Sequence, residues 1–151
     1  MIFKALTDTT AKCPERIAVI HGQREVTYAE LESGMSRLAA FLLELGVQKG
    51  SRTVIIDENS PEYIISYLGV QKAGGIAVAV NPQYSAYELK KIFLNCTPCI
   101  LIVDRKYLKP ALEAARETAS IETIIILNVQ GRDELLRIQE KTVEYPTSIM
   151  L

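Results

Sequence analysis

Residues Asn59 to Pro82 read NSPEYIISYLGVQKAGGIAVAVNP, a complete helix-to-strand unit with its own punctuation. Ser60 is a favoured N-cap residue, and Pro61 suits the first helical position, where no N–H donor is needed. Gly74-Gly75 ends the helix, because glycine takes the left-handed backbone that a helix C-terminus asks for. Ile76 to Val80 (IAVAV) is then a short, wholly apolar run, which reads as a buried strand. Asn81-Pro82 makes a tight exit.

The same alternation continues on both sides. Upstream, Thr27 and Glu30 form a capping-box pair (TYAE), and Leu31, Met35, Leu38, Ala39, Leu42 and Leu45 follow at helical spacing. Gly46 falls where the C-cap glycine belongs. Thr53 to Asp57 (TVIID) is the first core strand. Ahead of this unit, Ile17 to Ile20 and Glu25 to Thr27 flank His21-Gly22-Gln23-Arg24, the pattern of a β-hairpin. Downstream, Ser85 and Glu88 make a second capping box (SAYE), with Leu89, Ile92, Phe93 and Cys96 on one helix face. Ile100 to Val103 is the third strand, Tyr107 to Thr118 a fourth helix, and Thr123 to Leu127 the fourth strand.

Strands of nearly unbroken Val and Ile, each separated by one helix, imply a parallel sheet covered on both faces. The expected fold is therefore α/β: a doubly wound, mainly parallel sheet preceded by a short hairpin. Residues 1–128 carry this signal. In 129–151 it weakens: Asp133 to Lys141 allows one more helix, and Thr142 to Leu151 reads as a connector with no strand partner.

Bulk properties narrow the classes of function. With 48% hydrophobic and 23% charged residues, the chain has the balance of a globular domain. A net charge of −1 provides no basic stripe for nucleic acid. No apolar run reaches the roughly 18 residues that cross a bilayer, and the start, MIFKALTDTTAKCPER, is too short in apolar residues for a secretory signal. Three cysteines, an odd number, argue against a disulfide framework and for a reducing, cytoplasmic setting.

Several residues invite a chemical reading and receive a structural one. The order helix, Gly74-Gly75, strand is the reverse of a dinucleotide fingerprint, so the pair is not expected to hold phosphate. Cys96-Thr97-Pro98-Cys99 has the spacing of a redox site, but Cys96 would lie at the C-terminal, negative end of a helix, which disfavours a thiolate. A zinc site is short of ligands. His21, the single histidine, belongs to a hairpin turn with no nucleophile placed beside it. Asp57 and Glu58 end a core strand, where open α/β sheets bind ligands, but read as solvated loop carboxylates.

Taken together, VTYAEL (Val26 to Leu31), LGVQKG (Leu45 to Gly50), NSPE (Asn59 to Glu62), QKAGGIAVAVNP (Gln71 to Pro82) and SAYELKKIFLNC (Ser85 to Cys96) resemble the early core of the adenylate-forming, or AMP-binding, superfamily. This superfamily holds the AMP-forming acyl-CoA synthetases, the luciferases and the adenylation domains of peptide synthetases. The resemblance spans about residues 3 to 128. Two positions depart from the usual pattern: Ala79 stands where the second motif usually has proline, and Ser51 where aspartate is usual.

The resemblance implies a parent that activates a carboxylate on Mg-ATP, releasing pyrophosphate, and passes the acyl group to CoA or a carrier thiol. In the family the Gly/Ser/Thr-rich phosphate loop, the ribose-binding aspartate and the catalytic lysine follow the segment seen here. The expectation is thus an amino-terminal, partial domain of an acyl-CoA synthetase, inactive alone and binding no cofactor itself, with ATP, Mg and CoA belonging to the full-length parent. VNP at Val80 to Pro82 resembles the CoA ligases more than the PID or PLD of amino-acid activators. A fragment of a peptide-synthetase adenylation domain and a stand-alone, non-catalytic module remain the alternatives. One binding role carries over: the loop Asn81-Pro82-Gln83-Tyr84 and the following helix lie where acetyl-CoA-type enzymes hold the CoA nucleotide, which nominates Tyr84 to stack on adenine and Lys91 to meet a phosphate. The remainder of the parent would be the main partner. A sheet edge left uncovered near TIIIL and ILIV would favour homo-oligomers.

Overall fold

The computed structural model describes residues 2–128 and 142–144. It opens with a helix the sequence reading does not anticipate, α1 (Ile2–Thr10), whose Leu6 and Thr10 are buried. The hairpin follows, β1 (Ile17–His21) and β2 (Arg24–Thr27), turning at Gly22 with φ 63°. A backbone bond from Tyr28 N to Arg16 O (2.9 Å) ties its base to the next helix.

That helix, α2 (Tyr28–Glu44), begins with both halves of the capping box made: the Thr27 side chain accepts from Glu30 N, and the Glu30 carboxylate accepts from Thr27 N. It ends in a Schellman arrangement, with Gly46 at φ 87° and bonds from Gly46 N to Leu43 O and from Val47 N to Leu42 O. The core then alternates: β3 (Arg52–Ile56), α3 (Pro61–Lys72), β4 (Ile76–Val80), α4 (Ala86–Cys96), β5 (Ile100–Asp104), a 3₁₀ turn (Arg105–Tyr107), α5 (Leu108–Arg116), β6 (Thr123–Leu127) and β7 (Thr142–Glu144).

The five-stranded sheet is parallel throughout, in the order β4-β3-β5-β6-β7. The chain leaves β3 toward β4 on one side and returns to β5 on the other. Reversal of direction requires the crossovers to lie on opposite faces if all are right-handed. Accordingly Ile55, Ile102 and Ile125 pack with α1, α2 and α3, while Val54, Ile56, Leu101, Val103, Ile124 and Ile126 pack with α4 and α5. The alternation along each strand sends successive side chains to opposite faces. Helices α2 and α3 approach closely because Gly69 has no side chain: a Cβ there would come within 3.0 Å of Leu38 Cδ2.

Two expectations change here. Thr142–Glu144 does have a partner, since it pairs in parallel with β6. TIIIL is therefore flanked on both sides and ILIV lies inside the sheet; the longer edge is β4 instead. The helix foreseen at Asp133 to Lys141 lies outside the described residues.

Gly74 and Gly75 act as the sequence indicates. Gly74 sits at φ 87°, and a Cβ on Gly75 would meet Val70 Cγ1 at 3.0 Å and Ser51 O at 3.1 Å. Gly74→Ala is expected to lose about 1–2 kcal/mol, the cost of a left-handed backbone for an L side chain, read as a lower urea midpoint at unchanged slope.

Candidate functional site

In an open parallel sheet, ligands gather outside the carboxyl ends of the strands where the chain reverses direction. In this fold that point lies between β3 and β5. The residues following those strands are Asp57 to Ser60 and the Asp104–Tyr107 segment.

Asp57 is buried, at 6% exposure, and so is not the solvated carboxylate expected. Its Oδ1 accepts from Glu58 N and its Oδ2 from the Ser60 hydroxyl, both at 2.7 Å. Ser60 Oγ in turn accepts from Tyr63 N at 2.9 Å. The carboxylate thus holds the N-cap of α3. Burial raises its pKa to about 6, with the neighbouring Asp104 and Glu62 charges acting the same way and the Ser60 and Glu58 hydrogen bonds opposing.

Glu62, one turn further on, is also buried, and Arg24 of the hairpin reaches it at 2.7 Å. Glu58 is exposed. Lys106 and the Tyr107 hydroxyl both donate to its Oε1, linking the ends of β3 and β5. Those bonds hold the Glu58 pKa below the ordinary carboxylate range, Lys106 first and Tyr107 second, and they raise the Lys106 and Tyr107 values. Asp104 accepts from Lys106 N at 2.7 Å and from the Asn128 amide. Sequence reading picked out Asp57 and Glu58 but not Asp104, Lys106, Tyr107, Arg24 or Glu62. Their partnership depends on strand order, although Asp104 does repeat the placement of Asp57 at a strand's end.

The chemistry open to this rim is restricted. The cations Arg24 and Lys106 are each engaged by a carboxylate, and Asp57, Glu62 and Asp104 repel anions. No group of three or more His, Cys, Asp or Glu among the described residues could hold a metal ion. The rim braces the fold.

The remaining candidates separate cleanly. Gly74 N and Gly75 N are spent on Gln71 O and Val70 O, so neither is available to a phosphate. His21 ends β1 on the surface and lines a cavity of about 340 Å³ with Ile20, Asn59, Ser60, Tyr63 and Ile64. Cys96 packs against the α4–α5 side of the sheet and Cys99 against the opposite side. The two thiols therefore point apart, and burial raises the Cys96 pKa. Tyr84 is partly exposed, at 37%, in the loop after β4. Lys91 lies on α4 with its ammonium 4.3 Å from the centre of the Tyr87 ring, so the aromatic it meets is Tyr87, while Lys90 bridges to Glu117 at the C-cap of α5.

Residues 6–148 match the sequence profile described as AMP-binding enzyme. The chain belongs to the AMP-binding enzyme family. It is 36% identical over 121 residues to the medium/long-chain-fatty-acid–CoA/3-oxocholest-4-en-26-oate–CoA ligase of Mycobacterium tuberculosis, covering 80% of this chain and 22% of that enzyme. It is also 36% identical over 121 residues to gramicidin S synthase 2 of Brevibacillus brevis, covering 80% of this chain and 3% of that protein. Among solved structures, coronafacic acid ligase from Pectobacterium brasiliense superposes with a TM-score of 0.86 at 21% identity, over 98% of this chain and 29% of that one, a likeness of fold. The chain thus spans about a fifth of the length of the ligases it matches, and its doubly wound sheet is the part of the family fold described above. No helix among the described residues is long and apolar enough to cross a membrane.

Proposed function

We propose that this chain is the amino-terminal scaffold of an AMP-forming acyl-CoA synthetase, and that it does not adenylate by itself. The carrying observation is the 36% identity to the medium/long-chain-fatty-acid–CoA/3-oxocholest-4-en-26-oate–CoA ligase over 80% of the chain and only 22% of that enzyme. Val80-Asn81-Pro82 agrees with the CoA-ligase reading. The match to gramicidin S synthase 2 favours a second reading, an amino-acid-activating domain. In either case ATP, Mg and CoA or a carrier thiol act in the whole enzyme, and the carboxylic acid is its substrate. Cysteines that are all free among the described residues support a cytoplasmic protein.

The physical argument for inactivity is electrostatic. Phosphoryl chemistry needs preorganised cations and N–H donors around the transferring group. At the rim Arg24 and Lys106 are each paired with a carboxylate, and Gly74 N and Gly75 N are spent on the end of α3. The expected result is no ATP–pyrophosphate exchange above background with fatty acids or amino acids; turnover with any carboxylate would overturn the proposal. In a thermal-shift series, Mg-ATP and AMP are expected to leave the midpoint unchanged. CoA binding at Tyr84 and Lys91 belongs to the same proposal as a peripheral contact of the whole enzyme. It is tested by whether CoA raises the midpoint and Tyr84→Ala or Lys91→Ala removes the rise. At about 100 times its dissociation constant a ligand adds about 2.7 kcal/mol.

A further inference from the structure

One edge of the parallel sheet carries no further strand among the described residues. β4 ends the sheet, with β3 its single neighbour among the described residues. Ile76 N donates to Ser51 O at 2.8 Å, and the register runs from Arg52↔Ile76 to Ile56↔Val80. In a parallel pair alternate residues turn both N–H and C=O to the same side. Ile76, Val78 and Val80 therefore bond to β3, and Ala77 and Ala79 turn their N–H and C=O groups outward.

Natural edge strands are blunted by lysine, proline, a bulge or an inward-pointing charge. Ile76 to Val80 has none of these, and its pairing with β3 is regular over all five residues. Ile76 is 49% exposed, and Ala79 is exposed as well. The groove of about 610 Å³ beside the start of the strand is lined by Tyr67, Gln71, Gly75, Ile76 and Ala77, with Lys49 its one charge.

We infer that a second copy of this chain occupies this edge. The two β4 strands run antiparallel about a two-fold axis at Val78. Ala77 of one copy then faces Ala79 of the other, and each such pair exchanges both N–H···O=C bonds. The small side chains leave the approach open. Antiparallel pairing sends the two Lys49 side chains to opposite ends of the joint, so like charges do not meet. The strand is about 17 Å long, and with a helix layer on each side the flank is about 30 Å high. That gives on the order of 500 Å² per copy and 1,000 Å² in all, the lower bound for specific association. The expected complex is therefore a reversible, closed dimer with one continuous sheet.

Sedimentation velocity across a concentration series into the millimolar range tests this. A monomer–dimer equilibrium with a dimer as its upper limit is expected. Ala79→Pro deletes an outward N–H that no internal bond uses, and it should weaken the dimer about tenfold or more with the far-ultraviolet spectrum unchanged. Ala79→Lys places a charge at the same exposed site and should do likewise, which keeps the test decisive if the proline variant misfolds. A wild-type monomer at every concentration would overturn the inference, the edge then belonging to some other strand. So would oligomers larger than two, or a dimer as tight in both folded variants as in the wild type.

Discussion

Arg24→Met is expected to cost about 2–3 kcal/mol, far more than the loss of an ordinary surface charge. Arg24 Nη2 donates to Glu62 Oε1 at 2.7 Å, with the guanidinium side chain 44% exposed and the carboxylate side chain 3% exposed. An exposed ion pair is worth about 0–1 kcal/mol. Removing one partner of a buried pair costs about 3–5 kcal/mol, because the other charge is left without water or counter-charge. This pair is asymmetric, and the asymmetry decides the size of the effect. The partner that would be stranded is the buried one. Two features lower the figure from the fully buried case: Glu62 sits in the first turn of α3, where the helix dipole favours an anion, and water can follow the vacated Arg24 path. For a chain of this size the loss should appear as a drop in melting temperature of about 5–10 °C.

Glu62→Gln alone should be milder, about 1 kcal/mol, since Arg24 can turn to solvent. The double variant Arg24→Met/Glu62→Gln should recover much of the single-variant loss, giving a coupling of about 1–2 kcal/mol in the cycle. Urea denaturation at neutral pH measures all four proteins. If Arg24→Met costs less than about 0.5 kcal/mol, the pair behaves as a surface pair and the hairpin is held by its Ala18 and Val19 contacts with the core instead.

This clamp also shows which parts of the molecule the sequence makes readable. Helices α2, α3 and α4 announce themselves because their signals are local: Thr27 with Glu30, Ser60 with Pro61, and Ser85 with Glu88 lie within one turn of each start. The four main strands are legible as runs of β-branched and apolar residues. Helix α1 has no N-cap pair and offers only the spacing of Phe3, Leu6 and Thr10. β7 is three residues long, and what makes it a strand is the exposed flank of β6, which no local pattern reveals.

The rim follows the same rule. Asp57 and Glu58 can be placed at a strand's end from sequence. Whether they are wet cannot be, because Asp57 is buried in the fold, bonded to Ser60 at the start of α3 and close enough to feel the Asp104 charge from another strand. The reach of Lys106 and Tyr107 to Glu58 likewise exists only once β3 and β5 are neighbours. Cys96 and Cys99 are the opposite case: helix polarity alone argued against redox chemistry, and their placement on opposite sides of the sheet agrees.

Asp57→Asn is expected to raise stability at neutral pH and to flatten its pH dependence between about pH 4 and 6. Burial lifts the Asp57 pKa from 3.8 to about 6 in the folded protein. Between those values the folded state keeps a proton that the unfolded state has released, so stability falls as pH rises through the window. Above it the cost of holding the charged form is present in full. At about 1.36 kcal/mol per pH unit, that cost is on the order of 3 kcal/mol. Asparagine removes the charge but can accept only one of the two hydrogen bonds from Glu58 N and Ser60, giving back about 1 kcal/mol. The net gain at pH 7 should thus be about 1–2 kcal/mol, shrinking to nothing or reversing near pH 4. Glu58, Glu30 and Glu88 act in the other direction. Their pKa values are held below 4.5 by bonds to Lys106 and Tyr107, to Thr27 and to Ser85 respectively, so the stability they add is lost as pH falls beneath that range. The wild type should therefore be most stable at about pH 4–4.5, where the two windows meet, and the variant should lose the descending arm above it. Urea melts at half-unit steps from about pH 4 to 7.5 measure both curves. Parallel profiles would show that Asp57 titrates as an ordinary carboxylate and that its bonds to Ser60 and Glu58 outweigh its burial.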